Sequence, residues 1–187
     1  MTEGTRLSRA LIFHGHAATP ENPWFSWVAD ELEHHGTCAI IPPLPDPYAP
    51  ETTAWEGTIE STLGEPDERT VVIAHSLGCL AVLRYLSSLR TDWNLGGLVL
   101  VSGFTRKLPA LPELDGFITS GLDVSTVRQR VQKIPVLRSD NDGLVPSAFS
   151  DELATLLGVK AHVQSGAGHF LAEDGVTELP RLLDWIQ

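Results

Sequence analysis

The stretch Thr70-Val71-Val72-Ile73-Ala74-His75-Ser76-Leu77-Gly78 decides how the rest of the chain is read. Thr70–Ile73 has the composition of a buried strand, and the small residues Ala74 and Gly78 flank Ser76 two positions to either side. A tight strand-to-helix turn of this kind lifts a serine hydroxyl clear of a sheet and turns the following backbone N–H groups toward it. The usual form carries glycine two residues before the serine; Ala74 stands there, small enough to let a neighbouring strand approach. A serine so placed points to nucleophilic chemistry and requires a base and an orienting acid from elsewhere in the chain.

Outward from this elbow, short apolar runs alternate with helical stretches. The strands expected are Arg9–Phe13, Cys38–Ile41, Thr70–Ala74, Leu98–Val101, Pro135–Arg138 and Lys160–Gln164. The helices expected are Trp24–His35, Thr53–Leu63, Leu77–Ser88, Val124–Gln132, Ser147–Leu157 and Val176–Ile186. Strands spaced by helices predict a parallel sheet covered on both faces, with right-handed crossovers and ligand-facing loops at one edge. Two stretches are read as loops. Pro42–Pro50 holds five prolines and is stiff and extended, and Gly103–Gly121 follows the fourth strand, where a ligand-facing loop is expected.

Length and charge narrow the classes. At 187 residues with 42% hydrophobic content, one domain over residues 1–187 is expected. The net charge of −11 argues against nucleic acid and against an anionic membrane surface as partner. Cys38 and Cys79 are both expected to be buried, as free thiols in a reducing compartment. With no signal-peptide core near the start and no apolar run of membrane-spanning length, the expected location is cytoplasmic.

The partners of Ser76 are sought at the same sheet edge and in the chain order serine, acid, histidine. Asp142 follows the fifth strand in Ser139-Asp140-Asn141-Asp142-Gly143-Leu144-Val145-Pro146, and His169 follows the sixth in Gly166-Ala167-Gly168-His169-Phe170. Asp142 is preferred to Asp140 as the acid, because Asp-x-x-Val-Pro suits a loop entering the site. Either aspartate is otherwise an ordinary turn former, and His169 an ordinary loop residue. Oxyanion donors are expected at the backbone N–H of Leu77 and, from the loop after the first strand, of His16, with Ala17 as its alternative. His14-Gly15-His16 also has a zinc-like spacing, but no further ligand follows at the right distance, so no metal and no cofactor are expected. A dinucleotide fingerprint is absent from that loop. Trp24, Phe104, Leu108 and Phe117 are candidates for an apolar acyl site, against the alternative that they are core. His34, His35, His75 and His162 have ordinary structural readings.

With these residues in place the chain resembles the retinoblastoma-binding protein nine family of small serine hydrolases. The likeness rests on Phe13-His14-Gly15, Trp24-Phe25-Ser26-Trp27-Val28 with Glu31-Leu32-Glu33, and Leu44-Pro45-Asp46-Pro47. It continues through the Ser76 elbow with Arg84-Tyr85, Leu98–Ser102, the Asp142 loop and Gly168-His169-Phe170. The resemblance implies a minimal α/β-hydrolase: a six-stranded, mostly parallel, doubly wound sheet in order 2-1-3-4-5-6, without a cap domain. It implies Ser76, Asp142 and His169 as the triad and a small ester or amide as substrate. The expected activity is that of a carboxylesterase, the alternatives being an amidase or small-peptide hydrolase, or a non-catalytic binding protein on the same scaffold.

Overall fold

The structure is a computed structural model that describes residues 6–118 and 121–186; Thr119 and Ser120, within the Gly103–Gly121 loop, lie outside the described residues. Six strands form one sheet: β1 (Arg9–Phe13), β2 (Cys38–Ile40), β3 (Thr70–His75), β4 (Gly97–Val101), β5 (Val136–Ser139) and β6 (Ala161–Gln164). Their order is β2-β1-β3-β4-β5-β6, as expected, and every pairing between them is parallel. Burial follows position. Every residue of the central strands β3 and β4 is buried, as a strand covered on both faces must be, while the edge strands β2 and β6 are largely open.

The two-residue period of a strand sorts the core into two layers. Leu11, Phe13, Val72, Ala74, Leu98, Leu100 and Val136 face α2 (Thr52–Leu63), α3 (Leu77–Ser88), α4 (Ser125–Arg130) and α5 (Ser147–Leu156). Ala10, Ile12, Val71, Ile73, Val99, Val101 and Leu137 face α1 (Pro23–His34) and the C-terminal segment ending in α6 (Leu183–Ile186). On α1, Trp24, Phe25, Val28, Ala29 and Leu32 form the buried stripe. This is the doubly wound α/β-hydrolase architecture.

Three expectations are corrected. The last helix does not span Val176–Ile186: residues before Pro180 are not helical, and a 3-10 turn (Pro180–Leu182) leads into the four residues of α6. Proline disfavours helical backbone in the residue before it, and Leu179 accordingly has φ −138. The helix expected over Val124–Gln132 is cut to Ser125–Arg130, because Leu95 N–H donates to Arg130 O and Gln132 N–H to Leu95 O, drawing Val131 into a bridge. Cys38, expected to be buried, is exposed because β2 is an edge strand; Cys79 is buried and both thiols are free.

The Pro42–Pro50 loop is bound to its neighbours by three hydrogen bonds. Leu44 N–H donates to His14 Nε2 (2.9 Å), Trp55 Nε1–H to Pro45 O (2.8 Å) and Ala17 N–H to Pro47 O (2.9 Å). At the C-terminal end of β1 the helix α3 comes in so close that a Cβ on Gly78 would collide with the backbone oxygens of Phe13 and His14. Those oxygens belong to backbone and cannot swing aside. Gly78→Ala is therefore expected to lower the unfolding free energy by about 1–3 kcal/mol, read from the midpoint of a urea titration.

Candidate active site

Ser76 stands between β3 and α3 with φ 55 and ψ −125, a conformation that a non-glycine residue holds only under constraint. Its own N–H donates to Val101 O (2.9 Å) at the end of β4, and its carbonyl receives Cys79 N–H (3.0 Å). The hydroxyl is thereby fixed at the C-terminal edge of the sheet, where the loops after β5 and β6 also arrive. His169 Nε2 lies 2.9 Å from Ser76 Oγ, and its Nδ1 lies 2.8 Å from Asp142 Oδ2. A carboxylate only accepts, so Nδ1 carries the proton and Nε2 is free to accept from the serine hydroxyl.

Asp142 is engaged at both of its oxygens. Oδ1 accepts the N–H groups of Leu144 and Val145, each at 2.9 Å, and Oδ2 accepts Ser102 Oγ–H (3.0 Å) beside the imidazole. Burial works to raise its pKa. The hydrogen bond and charge of His169, together with the two backbone N–H groups, outweigh that and hold it below the ordinary carboxylate value. Asp140 is turned elsewhere, its Oδ1 receiving Gly166 N–H (2.8 Å). The same loop supplies Ser139 Oγ to Ala167 N–H (3.1 Å) and Asn141 Oδ1 to Gly168 N–H (2.8 Å), so the Asp142 loop holds the His169 loop by a row of side-chain oxygens.

The oxyanion candidates are separated by their hydrogen bonds. Leu77 opens α3, and the first N–H groups of a helix have no partner within it. Ala17 N–H is occupied by Pro47 O, which leaves His16 as the candidate from the loop after β1. Behind that loop His14 is buried, and burial lowers its pKa. Its Nε2 accepts Leu44 N–H, so Nδ1 is the donor to Gly15 O (2.9 Å). Both ring nitrogens are thus used inside the protein, and His14-Gly15-His16 offers no metal-binding pair.

A cleft of about 440 Å³ opens over Ser76. Its walls include His16, Ala17 and Ala18 on one side and Leu144, His169 and Leu171 on the other, with Leu111 from the loop after β4. The four apolar residues expected in this wall are not in it. Phe104, Leu108 and Phe117 are packed in the layer over α2 and α3, with Phe117 against Trp55 at 5.3 Å between ring centroids. Trp24 is buried in the opposite layer, and its Nε1–H donates to Phe170 O (2.9 Å). Large apolar side chains near a sheet edge serve core and pocket equally well in sequence, and here the core takes them. Among the described residues of the same loop, Leu111 is the one that lines the cleft.

His75, expected to have an ordinary structural role, is wholly buried between Trp24, Phe25 and His169, with ring centroids 5.8, 6.0 and 4.8 Å away. Its Nε2–H donates to His169 O (2.9 Å). Nothing in the sequence signals this contact, nor those of Ser102 and Asp174, because each depends on how separate loops meet.

A parallel sheet of this order, with serine on the elbow after β3, an acid after β5 and histidine after β6, defines an α/β-hydrolase-fold protein. The chain belongs to the Serine hydrolase family, whose model matches residues 10–187, and membership makes it a hydrolase. It is 36% identical to the Bacillus subtilis protein YdeN over 176 residues, covering 94% of this chain and 93% of that one. It is 28% identical to the serine hydrolase RBBP9 of Rattus norvegicus over 167 residues, 87% of each. The crystal structure of the B. subtilis ydeN product superposes with a TM-score of 0.91 over 95% of both chains.

Burial, helped by the charge of the neighbouring His169, lowers the His75 pKa from 6.5 to about 3. Between those values the unfolded chain binds a proton at this residue that the folded chain refuses, so stability falls as pH is lowered through the window. The depressed Asp142 carboxyl acts in the same direction at the acid end. The thermal midpoint is expected to decline steadily from pH 6.5 downward, and His75→Gln, which has no titrating ring, should decline less; calorimetry across that range checks it.

Proposed function

We propose that the protein cleaves a small carboxylic ester through an acyl-enzyme formed on Ser76. The observation that carries this reading is the unbroken hydrogen-bonded chain from Asp142 through His169 to the hydroxyl of Ser76, at the mouth of an open cleft. In the reaction Ser76 Oγ attacks the ester carbonyl carbon while His169 Nε2 takes its proton. The carbonyl oxygen becomes an oxyanion facing the backbone N–H groups of Leu77 and His16. Collapse breaks the bond to the alkoxide, which leaves with the proton from His169 as an alcohol. Water, deprotonated by the same nitrogen, then attacks the acyl carbon; the bond to Ser76 Oγ breaks, the carboxylic acid leaves, and His169 returns the proton to Oγ. Asp142 stays ionised throughout, fixing the tautomer and stabilising the imidazolium.

The size of the substrate follows from the walls. The cleft is open to solvent, has a volume of about 440 Å³ and is lined near Ser76 by small or medium side chains (Ala17, Ala18, Leu111, Leu144), which suits a short acyl group over a long chain. In this reading the enzyme needs neither cofactor nor metal and works in the cytoplasm, where the two unpaired thiols are at home. Among the described residues no helix is long and apolar enough to cross a membrane.

Stoichiometric labelling of Ser76 by a fluorophosphonate, located by peptide mapping and absent in Ser76→Ala, is the expected outcome of the direct test. Ser76→Ala and His169→Ala should each lower kcat by about 10⁴-fold or more, and Asp142→Asn by a similar factor. Matched esters and amides of one short acid decide the leaving group; faster turnover of the amide would replace the esterase reading with an amidase.

A further inference from the structure

We propose that Asp174 and His75 are positioning residues that grip the backbone of His169 from its two sides and so set where its imidazole stands against Ser76. The proposal rests on the reading of His169 as the base.

His169 lies in a loop, outside strand and helix, so its ring can be no better placed than its peptide groups. Both of those groups end on side chains. Its N–H donates to Asp174 Oδ2 (2.8 Å), and its carbonyl accepts Nε2–H of His75 (2.9 Å). The same Asp174 oxygen receives Leu171 N–H (3.1 Å), so one carboxylate oxygen holds the N–H groups of two residues that flank Phe170 in sequence. Phe170 has φ 58, a left-handed conformation that its Cβ disfavours and that the surrounding bonds must hold. Gly168, at φ 54, is packed so tightly under the carboxylate that any side chain there would run into it.

Capping of the short 3-10 turn Ala172–Asp174 accounts for the bond from Leu171. It does not account for the shorter bond to His169, which reaches back beyond the turn. The identity of His75 makes the same point from the other side. Its Nδ1 is buried without a hydrogen-bond partner, a burden that a phenylalanine among Trp24 and Phe25 would not carry. What histidine adds over phenylalanine at this place is the bond to His169 O.

The test uses the full chain and compares Asp174→Ala, Asp174→Asn, His75→Phe and His75→Gln. The readouts are the rate of fluorophosphonate reaction at Ser76, kcat and KM on a short-acyl p-nitrophenyl ester, and amide deuterium exchange over residues 166–171. Asp174→Ala and His75→Phe are expected to slow the labelling and kcat by about 10- to 100-fold, as a small displacement of a reacting group does. KM should stay within about twofold in Asp174→Ala, since Asp174 is not among the walls of the cleft, whereas His75 borders it. Exchange at His169 and Leu171 should quicken in Asp174→Ala. Asp174→Asn and His75→Gln, which keep an acceptor and a donor, should recover most of the rate. Asp174→Ala reacting at the wild-type rate would overturn the clamp and leave the hydrolase reading intact, provided Ser76→Ala is dead. So would equal losses in Asp174→Ala and Asp174→Asn with unchanged exchange. A wild-type Ser76 that fails to react overturns the hydrolase reading itself, and a clamp serving catalysis falls with it.

Discussion

The hydrogen bond from Ser76 N–H to Val101 O is the fixed point of the molecule's functional edge. It joins the end of β3 to the end of β4 where the chain must reverse into α3 at a positive φ, a conformation that costs on the order of 1–3 kcal/mol for a residue with a side chain. Among the described residues five non-glycine positions have positive φ: Ala17, Asp46, Ser76, Ser102 and Phe170. Four of them surround or support the cleft, and the fifth lies in the loop whose Pro47 carbonyl holds Ala17. Backbone strain is thus concentrated at one edge of the sheet, while the two packed layers behind it supply the stability that holds it.

Polar groups at that edge are supported in depth. Asp142 meets donors at both of its oxygens, and Asp140, Asn141 and Ser139 each accept an N–H from the loop that carries His169. On the opposite side of the serine, His14 ties the loop after β1 to the proline loop through Leu44. Solvation is replaced by fixed dipoles in both cases. Such groups need no reorganisation when charge appears, the condition under which electrostatic stabilisation is most effective.

Much of this is legible in the chain. The alternation of strands and helices, the elbow at Ser76 and the convergence of Asp142 and His169 rest on short local patterns and on the rule that loops of a parallel sheet gather at one edge, while the order of the sheet comes from the family resemblance. Trp24, Phe104, Leu108 and Phe117 mislead, because hydrophobicity says that a residue is buried but not against what. Pro180 carries a readable signal against the long final helix, outweighed by the apolar spacing around it. The competition between His16 and Ala17 cannot be decided in sequence, since it turns on whether Pro47 O reaches one amide. Asp174 and His75 are invisible for a similar reason: their partners are backbone groups, which every residue has alike.

The distribution of the site along the chain has a consequence for how it comes into being. Ser76 and His169 are 93 residues apart, and they meet only after β3, β4, β5 and β6 have paired side by side. Parallel neighbours cannot be joined by a hairpin, so each of these pairings closes a long loop before it yields any contact. A partly folded chain therefore carries Ser76 without its histidine partner. The hydrogen bond between Ser76 and His169 thus reports the pairing of β3 through β6, down to the last strand.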